Sequence, residues 1–156
     1  MADSAAAPSL PVDFAALPGV EQLRLGLRGE APMAPIARTV GFELVEVEEG
    51  RVMFEGLPTH AVYNPLGTVH GGWMATILDS ACGCVVHSLL KPGWNYTTLE
   101  LKTVFHKALK ADTPVRAVGT IVQMGRRAAF SQAELRGTDG TLYATATSTC
   151  MVMEPK

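Results

Sequence analysis

The run Asn64-Pro65-Leu66-Gly67-Thr68-Val69-His70-Gly71-Gly72-Trp73-Met74-Ala75-Thr76-Ile77-Leu78-Asp79 decides how this chain is read. Its first half is dense in turn residues and its second half is apolar, so a loop feeds a helix near His70. The start of a helix presents backbone N–H groups without partners of their own, and these stabilise an anion. Further along the same helix Asp79 sits among Ile77, Leu78 and Ala81. A carboxylate in apolar surroundings is costly, so its presence asks for a reason. An anion-holding helix end together with a half-buried acid is equipment for acyl transfer.

Working outward, helical composition continues to residue 90, and Pro92-Gly93 stops it. The segment 72–90 is apolar enough to suggest a membrane span, but Asp79 and His87 inside it make a buried core helix the better reading. Upstream, residues 1–12 are rich in Ala, Pro and Ser and are expected to be disordered. Residues 13–34 read as a helical extension, with Leu17, Val20, Leu23, Leu25 and Leu27 at helical spacing and a break at Pro18-Gly19. A short helix over 35–40 ends at Gly41. The period then switches to two: 42–47 and 51–55 alternate around the turn Glu49-Gly50, which predicts a hairpin. After the long helix, 96–105, 114–124, 127–136 and 141–153 read as four strands in a meander, with turns at Gly125 and Thr138-Asp139-Gly140. The layout is α+β, one sheet curling around one helix, in a single domain over 35–156.

Composition narrows the function. The chain has 156 residues, 47% of them hydrophobic and 18% charged, which is enough for one core and suits an oligomer. A net charge of −2 with no basic run excludes nucleic acid as a general partner. Cys82, Cys84 and Cys150 are odd in number and lack a paired-ligand spacing. They point to reduced thiols in a cytoplasmic protein, without a metal site. The first residues carry no basic region followed by an apolar run, so no signal peptide is expected.

These residues resemble the hot-dog fold, in which a curved antiparallel sheet wraps one long central helix, and specifically the PaaI-type acyl-CoA thioesterases. The resemblance spans about residues 35–153. It rests on Asn64-x-x-Gly67-x-x-His70-Gly71-Gly72 with Asp79, on Thr97-Thr98-Leu99-Glu100-Leu101, and on Gly125-Arg126-Arg127 before a strand. It implies hydrolysis of an acyl-CoA to free acid and coenzyme A, with coenzyme A entering as part of the substrate and no separate cofactor. It also implies a homo-oligomer, a dimer or a dimer of dimers.

Helix geometry leads to the same partnership independently. Gly71 and Asp79 are eight residues apart, roughly 12 Å along a helix axis. One thioester carbonyl cannot touch both, because reacting groups meet at about 3 Å. Two chains, each lending one half, can build the site. By the resemblance, Asp79 is the general base for water or the nucleophile, and the Gly71 N–H stabilises the oxyanion. Asn64 orients water or carbonyl, Thr98 lines the site, and His70 shapes the loop more readily than it acts as a base. Gly72, Arg126, Arg127 and Lys107 are the candidates for holding coenzyme A, with Lys110 next. One departure stands out: where the family commonly carries aromatic-x-Arg-Pro, this chain has Phe105-His106-Lys107-Ala108, which keeps the charge and loses the planar fork of arginine.

Plainer readings stand beside these. Asn64 precedes Pro65 as a turn residue does, and β-branched Thr98 suits a strand anyway. Arg126 and Arg127 could be solvated turn residues, and Trp73, Met74, Cys82 and Cys84 simple core. His87 reads as an interface or core polar group. Two rival functions remain: a hot-dog hydratase or dehydratase using His70 with Asp79, and a non-catalytic acyl-CoA sensor.

Overall fold

A computed structural model of the protein describes residues 13–155; the disorder expected for residues 1–12 lies outside the described residues. Three α-helices and six strands follow in the order α1 (Gly19–Leu27), α2 (Pro35–Val40), β1 (Phe42–Glu48), β2 (Arg51–Gly56), α3 (Gly71–His87), β3 (Asn95–Phe105), β4 (Val115–Met124), β5 (Ala128–Gly137) and β6 (Leu142–Met153). All six strands join one antiparallel sheet, and α3 packs against β2, β3, β4, β5 and β6. This is the hot-dog arrangement expected from the sequence.

Boundaries follow local chemistry. Gly41 ends α2 in a left-handed conformation (φ 81°), and Gly50 (φ 77°) turns the β1–β2 hairpin. Pro18-Gly19 splits the first helical segment into a 3-10 turn at Phe14–Ala16 and the helix α1. α3 stops at His87, three residues short of the expected end. There Ser88 donates its hydroxyl to Val85 O (2.7 Å) and accepts from Gly50 N (3.0 Å), while residues 89 and 90 continue only as tight i→i+3 turns.

α3 is buried around most of its circumference, through Trp73, Met74, Ile77, Leu78, Ala81, Cys82, Gly83, Val85 and Val86. The sheet face that receives it is carpeted with small side chains: Ala117, Gly119, Ala129, Ala133, Ala144 and Ala146 are all buried. Small residues there let the backbones approach, and the large helical side chains fill the space. At Gly119 a Cβ would run into the Ala81 carbonyl, and Ser131 Oγ donates to Cys82 O at 3.1 Å.

The expected four-strand meander is corrected. The sheet order is β1-β2-β4-β5-β6-β3, so of the last four strands only β4, β5 and β6 follow one another as neighbours, and β3 pairs with β6 at the far edge. A strand has two edges, and β4 gives one to β2 and the other to β5. After leaving the end of α3, the chain therefore enters beyond β6 and returns to β4 through residues 106–114, pinned by the fully buried Leu109. Alternation reveals which face a residue takes, not which strand lies beside it.

Candidate active site

The seam between α3 and the edge strand β3 carries the candidate chemistry. The two run antiparallel, so contacts pair in reverse order. Phe105 meets Gly71, Thr98 meets Asp79, and Tyr96 meets Gly83.

At the start of α3, His70 is the N-cap. Its Nδ1 accepts from Gly72 N at 2.8 Å, and its carbonyl accepts from Trp73 N at 3.0 Å. A ring nitrogen that accepts carries no proton, so the neutral tautomer holds its hydrogen on Nε2. This geometry makes His70 the organiser of the helix start. Gly72 is occupied on both sides, since its carbonyl also accepts from Thr76 Oγ1 at 2.8 Å. The Gly71 N–H, by contrast, meets no acceptor among the described residues. A free N–H at a helix start can hold an anion. The Phe105 ring closes on it: a Cβ would lie 2.9 Å from Phe105 Cζ, so a larger residue would have to displace that ring.

Asn64 is built into the preceding loop. Its Oδ1 accepts from Leu66 N (2.9 Å) and Thr68 N (3.3 Å), and its Nδ2 donates to Thr68 Oγ1 (2.8 Å). Gly67, at φ 75°, closes the turn. The turn reading of Asn64 is therefore correct for this loop, yet a primary amide has two N–H groups and only one is engaged. Asn64, Gly71, Met74, Phe105, His106 and Lys107 line one open cleft of about 430 Å³. Beside it, Lys110 Nζ holds Gly67 O at 2.8 Å.

Asp79 does not line that cleft. It is half-buried, and its polar contact is a long one, Thr98 Oγ1 donating to Oδ1 at 3.4 Å. It takes part in no salt bridge among the described residues. Burial raises the carboxyl pKa above its ordinary value, and the Thr98 hydroxyl, by favouring the ionised form, offsets part of that rise. An under-satisfied, partly desolvated carboxylate is poised as a base. Burial has a different consequence for the neighbouring thiols: Cys82 and Cys84 are pushed up to about 12, so both stay protonated and inert at neutral pH.

The coenzyme A candidates fall into two groups. Lys107 stands in the cleft with Gly71. Arg126 and Arg127 sit in the β4–β5 turn near the far end of α3; Arg126 is paired with Glu154 (2.8 Å), and Arg127 is exposed. A single chain thus brings Asp79 and Thr98 together, and Asn64, Gly71 and Lys107 together, without joining the two sets. No group of three His, Cys, Asp or Glu side chains among the described residues could hold a metal ion, and no described helix is long and apolar enough to cross a membrane.

Sequence reasoning missed three participants: Phe105 against Gly71, Tyr96 against Gly83, and the His87–Gln22 hydrogen bond (3.0 Å) that ties α3 to α1. A mid-helix glycine costs about 1 kcal/mol relative to alanine, so Gly83 was a visible flag of close approach.

Comparison with known proteins accords with this geometry. The thioesterase superfamily model matches residues 66–144. A phenylacetic acid degradation-related protein of the thioesterase type from Ralstonia eutropha JMP134 is 34% identical, with a TM-score of 0.76 over 82% of this chain and 97% of that one. A hypothetical thioesterase from Streptococcus pneumoniae TIGR4, solved with coenzyme A, is 26% identical with a TM-score of 0.67, covering 74% of this chain and 92% of that one. It has also been solved with one aspartate, and with one threonine, replaced by alanine. The E. coli PaaI protein of the phenylacetic acid degradation operon shares the fold, with a TM-score of 0.77 at 14% identity over 88% of this chain and 96% of that one. No curated protein matches the sequence. With its family pattern spanning half the chain and a relative above 30% identity over most of it, the chain belongs to the thioesterase superfamily, on its PaaI-like side, and is a thioester hydrolase.

Proposed function

We propose that this enzyme hydrolyses an acyl-CoA thioester at a site shared by two copies of the chain. Asp79 comes from one copy and the Gly71 N–H from the other. The carrying observation is the pairing order along the seam. Asp79 sits at Thr98 near one end of β3, and Gly71 sits at Phe105 at the opposite end. Among the described residues β3 is an open edge of eleven residues with little burial, and Leu99 is 63% exposed. An unpaired edge of that length is a template for antiparallel pairing with a second copy. A two-fold axis near the middle of β3 sets the Thr98 end of one copy beside the Phe105 end of the other. That closes the roughly 12 Å gap between Asp79 and Gly71 that no single helix can close.

The chemistry then follows. Asp79 removes a proton from water as the water oxygen bonds to the thioester carbon. Charge moves to the carbonyl oxygen and is held by Gly71 N–H, with the α3 dipole behind it. Collapse restores the carbonyl, breaks the C–S bond, and the proton on Asp79 passes to the departing sulfur. Direct attack by Asp79 to form a mixed anhydride is the other route open to the same carboxylate. Thr98 positions the carboxylate, the spare Asn64 N–H orients water or carbonyl, and His70 holds the helix start in shape.

The relative solved with coenzyme A supports the choice of acyl-CoA. Lys107 from one copy and the Arg126-Arg127 turn are proposed to meet the phosphates, and no further cofactor is required. A dimer of such dimers in the cytoplasm completes the proposal, with the exposed Val122, Phe130 and Met151 of the sheet offering apolar surface for the second contact.

The test is release of free thiol from a panel of acyl-CoAs by the native protein and Asp79→Asn. Turnover that falls at least about a hundredfold in the variant is expected for loss of a general base. Equal turnover by the two proteins would remove Asp79 from the mechanism.

A further inference from the structure

Between the end of α3 and the start of β3 the chain folds against the β4–β5 turn and the last residues of β6, and a cavity of about 490 Å³ opens there. Its floor is apolar. Leu90 and Val152 are buried, and Trp94 and Met124 pack, half-buried, against the same cluster. Its rim is charged. Arg126 Nε donates to Glu154 Oε1 at 2.8 Å, while the two terminal amino groups of that guanidinium meet no acceptor among the described residues. Lys91 is exposed, with Nζ 5.7 Å from the Trp94 ring centroid, at the outer limit of a cation–π contact and free to turn to a stronger partner. Arg127 follows in the same turn, exposed. Lys91, Arg126 and Arg127 against Glu154 leave this corner net positive in a chain whose net charge is −2. A half-buried indole beside a cationic rim suits a nucleotide, whose base offers a flat face to stack and whose phosphates take the charges.

Position narrows the choice of nucleotide. From Asp79 to Leu89, where the cavity begins, is roughly 15 Å at the rise of a helix. The pantetheine arm of coenzyme A runs from sulfur to phosphorus through about thirteen bonds; at the reach of an extended chain, with three bonds to each residue, that is also about 15 Å. A thioester at Asp79 therefore delivers its nucleotide to this cavity. Antiparallel pairing of two β3 strands sends the segment after Phe105 of the second copy, which carries Lys107, toward the same end and adds to its positive charge. We infer that this cavity holds the adenine nucleotide of coenzyme A, with Trp94 stacked on the base, and so selects acyl-CoA over the same acyl group on the phosphopantetheine of a carrier protein. The carrier-protein thioester has the arm and a phosphate, but no base to occupy the cavity. This inference rests on the thioesterase reading of Asp79 and adds the residue that distinguishes one acyl carrier from another.

The test compares kcat/KM for the phenylacetyl and hexanoyl thioesters of coenzyme A with those of pantetheine, using the native protein, Trp94→Ala and Trp94→Phe. The native protein should favour the coenzyme A esters by at least about tenfold, within the range that one base stacked on an aromatic ring supplies. Trp94→Ala should cut that preference by about tenfold, through KM for the coenzyme A ester, while Trp94→Phe, which keeps a ring, should hold most of it. The ratio is taken within each variant, so a general loss of active protein does not move it. Trp94→Leu replaces the alanine variant should that one fail to fold. Equal turnover of the two carriers by the native protein, or a ratio that loss of the ring leaves unchanged, overturns the inference. Calorimetry with adenosine 3′,5′-bisphosphate separates the two readings. If no ester is hydrolysed but the native protein binds this nucleotide and Trp94→Ala binds it about tenfold more weakly, the hydrolytic mechanism falls and the nucleotide site stands. Hydrolysis without preference between carriers keeps the mechanism and removes the site, and neither hydrolysis nor binding removes both.

Discussion

Asp79 is held by two opposed influences, and each can be removed. Burial favours its neutral form and the Thr98 hydroxyl favours its charged form. A base must be ionised to act, so kcat/KM should rise with pH through the Asp79 pKa on the acid side. Thr98→Val deletes the contact that lowers that pKa while keeping the shape of the side chain. The acid limb of the profile should therefore move to higher pH; an unmoved limb would mean that Thr98 does not act on Asp79. Stability carries the matching sign. Because the fold raises this pKa, the native state prefers the protonated acid, and stability is lost as pH rises through the folded value. Asp79→Asn should thus melt higher than the native protein at neutral pH, with the difference closing on acidification. Gain of stability with loss of turnover is the pattern of a residue kept for chemistry.

At the scale of the element, α3 shows what could be read beforehand and what could not. Its start was legible because turn residues and glycines precede an apolar run, and the cap geometry now explains His70 in particular. Its Nδ1 accepts from Gly72 N, which a base free to take a proton could not do at the same time. His70→Asn should keep the cap and turnover within a few-fold, whereas His70→Ala should cost about 1 kcal/mol of stability, as lost N-caps do. Equal and severe loss of turnover in both variants, read by thiol release, would return His70 to the role of proton carrier. α2 and the hairpin were equally legible, since Gly41 and Gly50 mark their ends by backbone conformation. β3 was legible as a strand but not as an edge. Its neighbour is decided by which edges β2 and β5 have already taken, information spread over the whole chain. The Phe105–Gly71 and Tyr96–Gly83 contacts were hidden for the same reason: they depend on the reverse run of β3 past α3.

For the whole molecule, the proposed mechanism treats one chain as holding two half-sites rather than one site. The Asp79–Thr98 pair and the Asn64–Gly71–Lys107 group lie apart along the same seam, and in the proposal a two-fold partner brings unlike halves together. This can be separated from a site complete within one chain by mixing two defective proteins. Asp79→Asn removes the proposed base, and Gly71→Val puts a branched side chain beside the proposed oxyanion donor, where a Cβ already presses on the Phe105 ring. Each homodimer should be inactive. A mixed dimer has one site carrying both defects and one carrying neither, because the intact Asp79 and the intact Gly71 then come from different chains. Unfolding and refolding an equal mixture should make half of the dimers mixed, each with one working site, and restore about a quarter of native turnover. A site contained within one chain gives no recovery, since every copy in the mixture still carries a lesion in its own site.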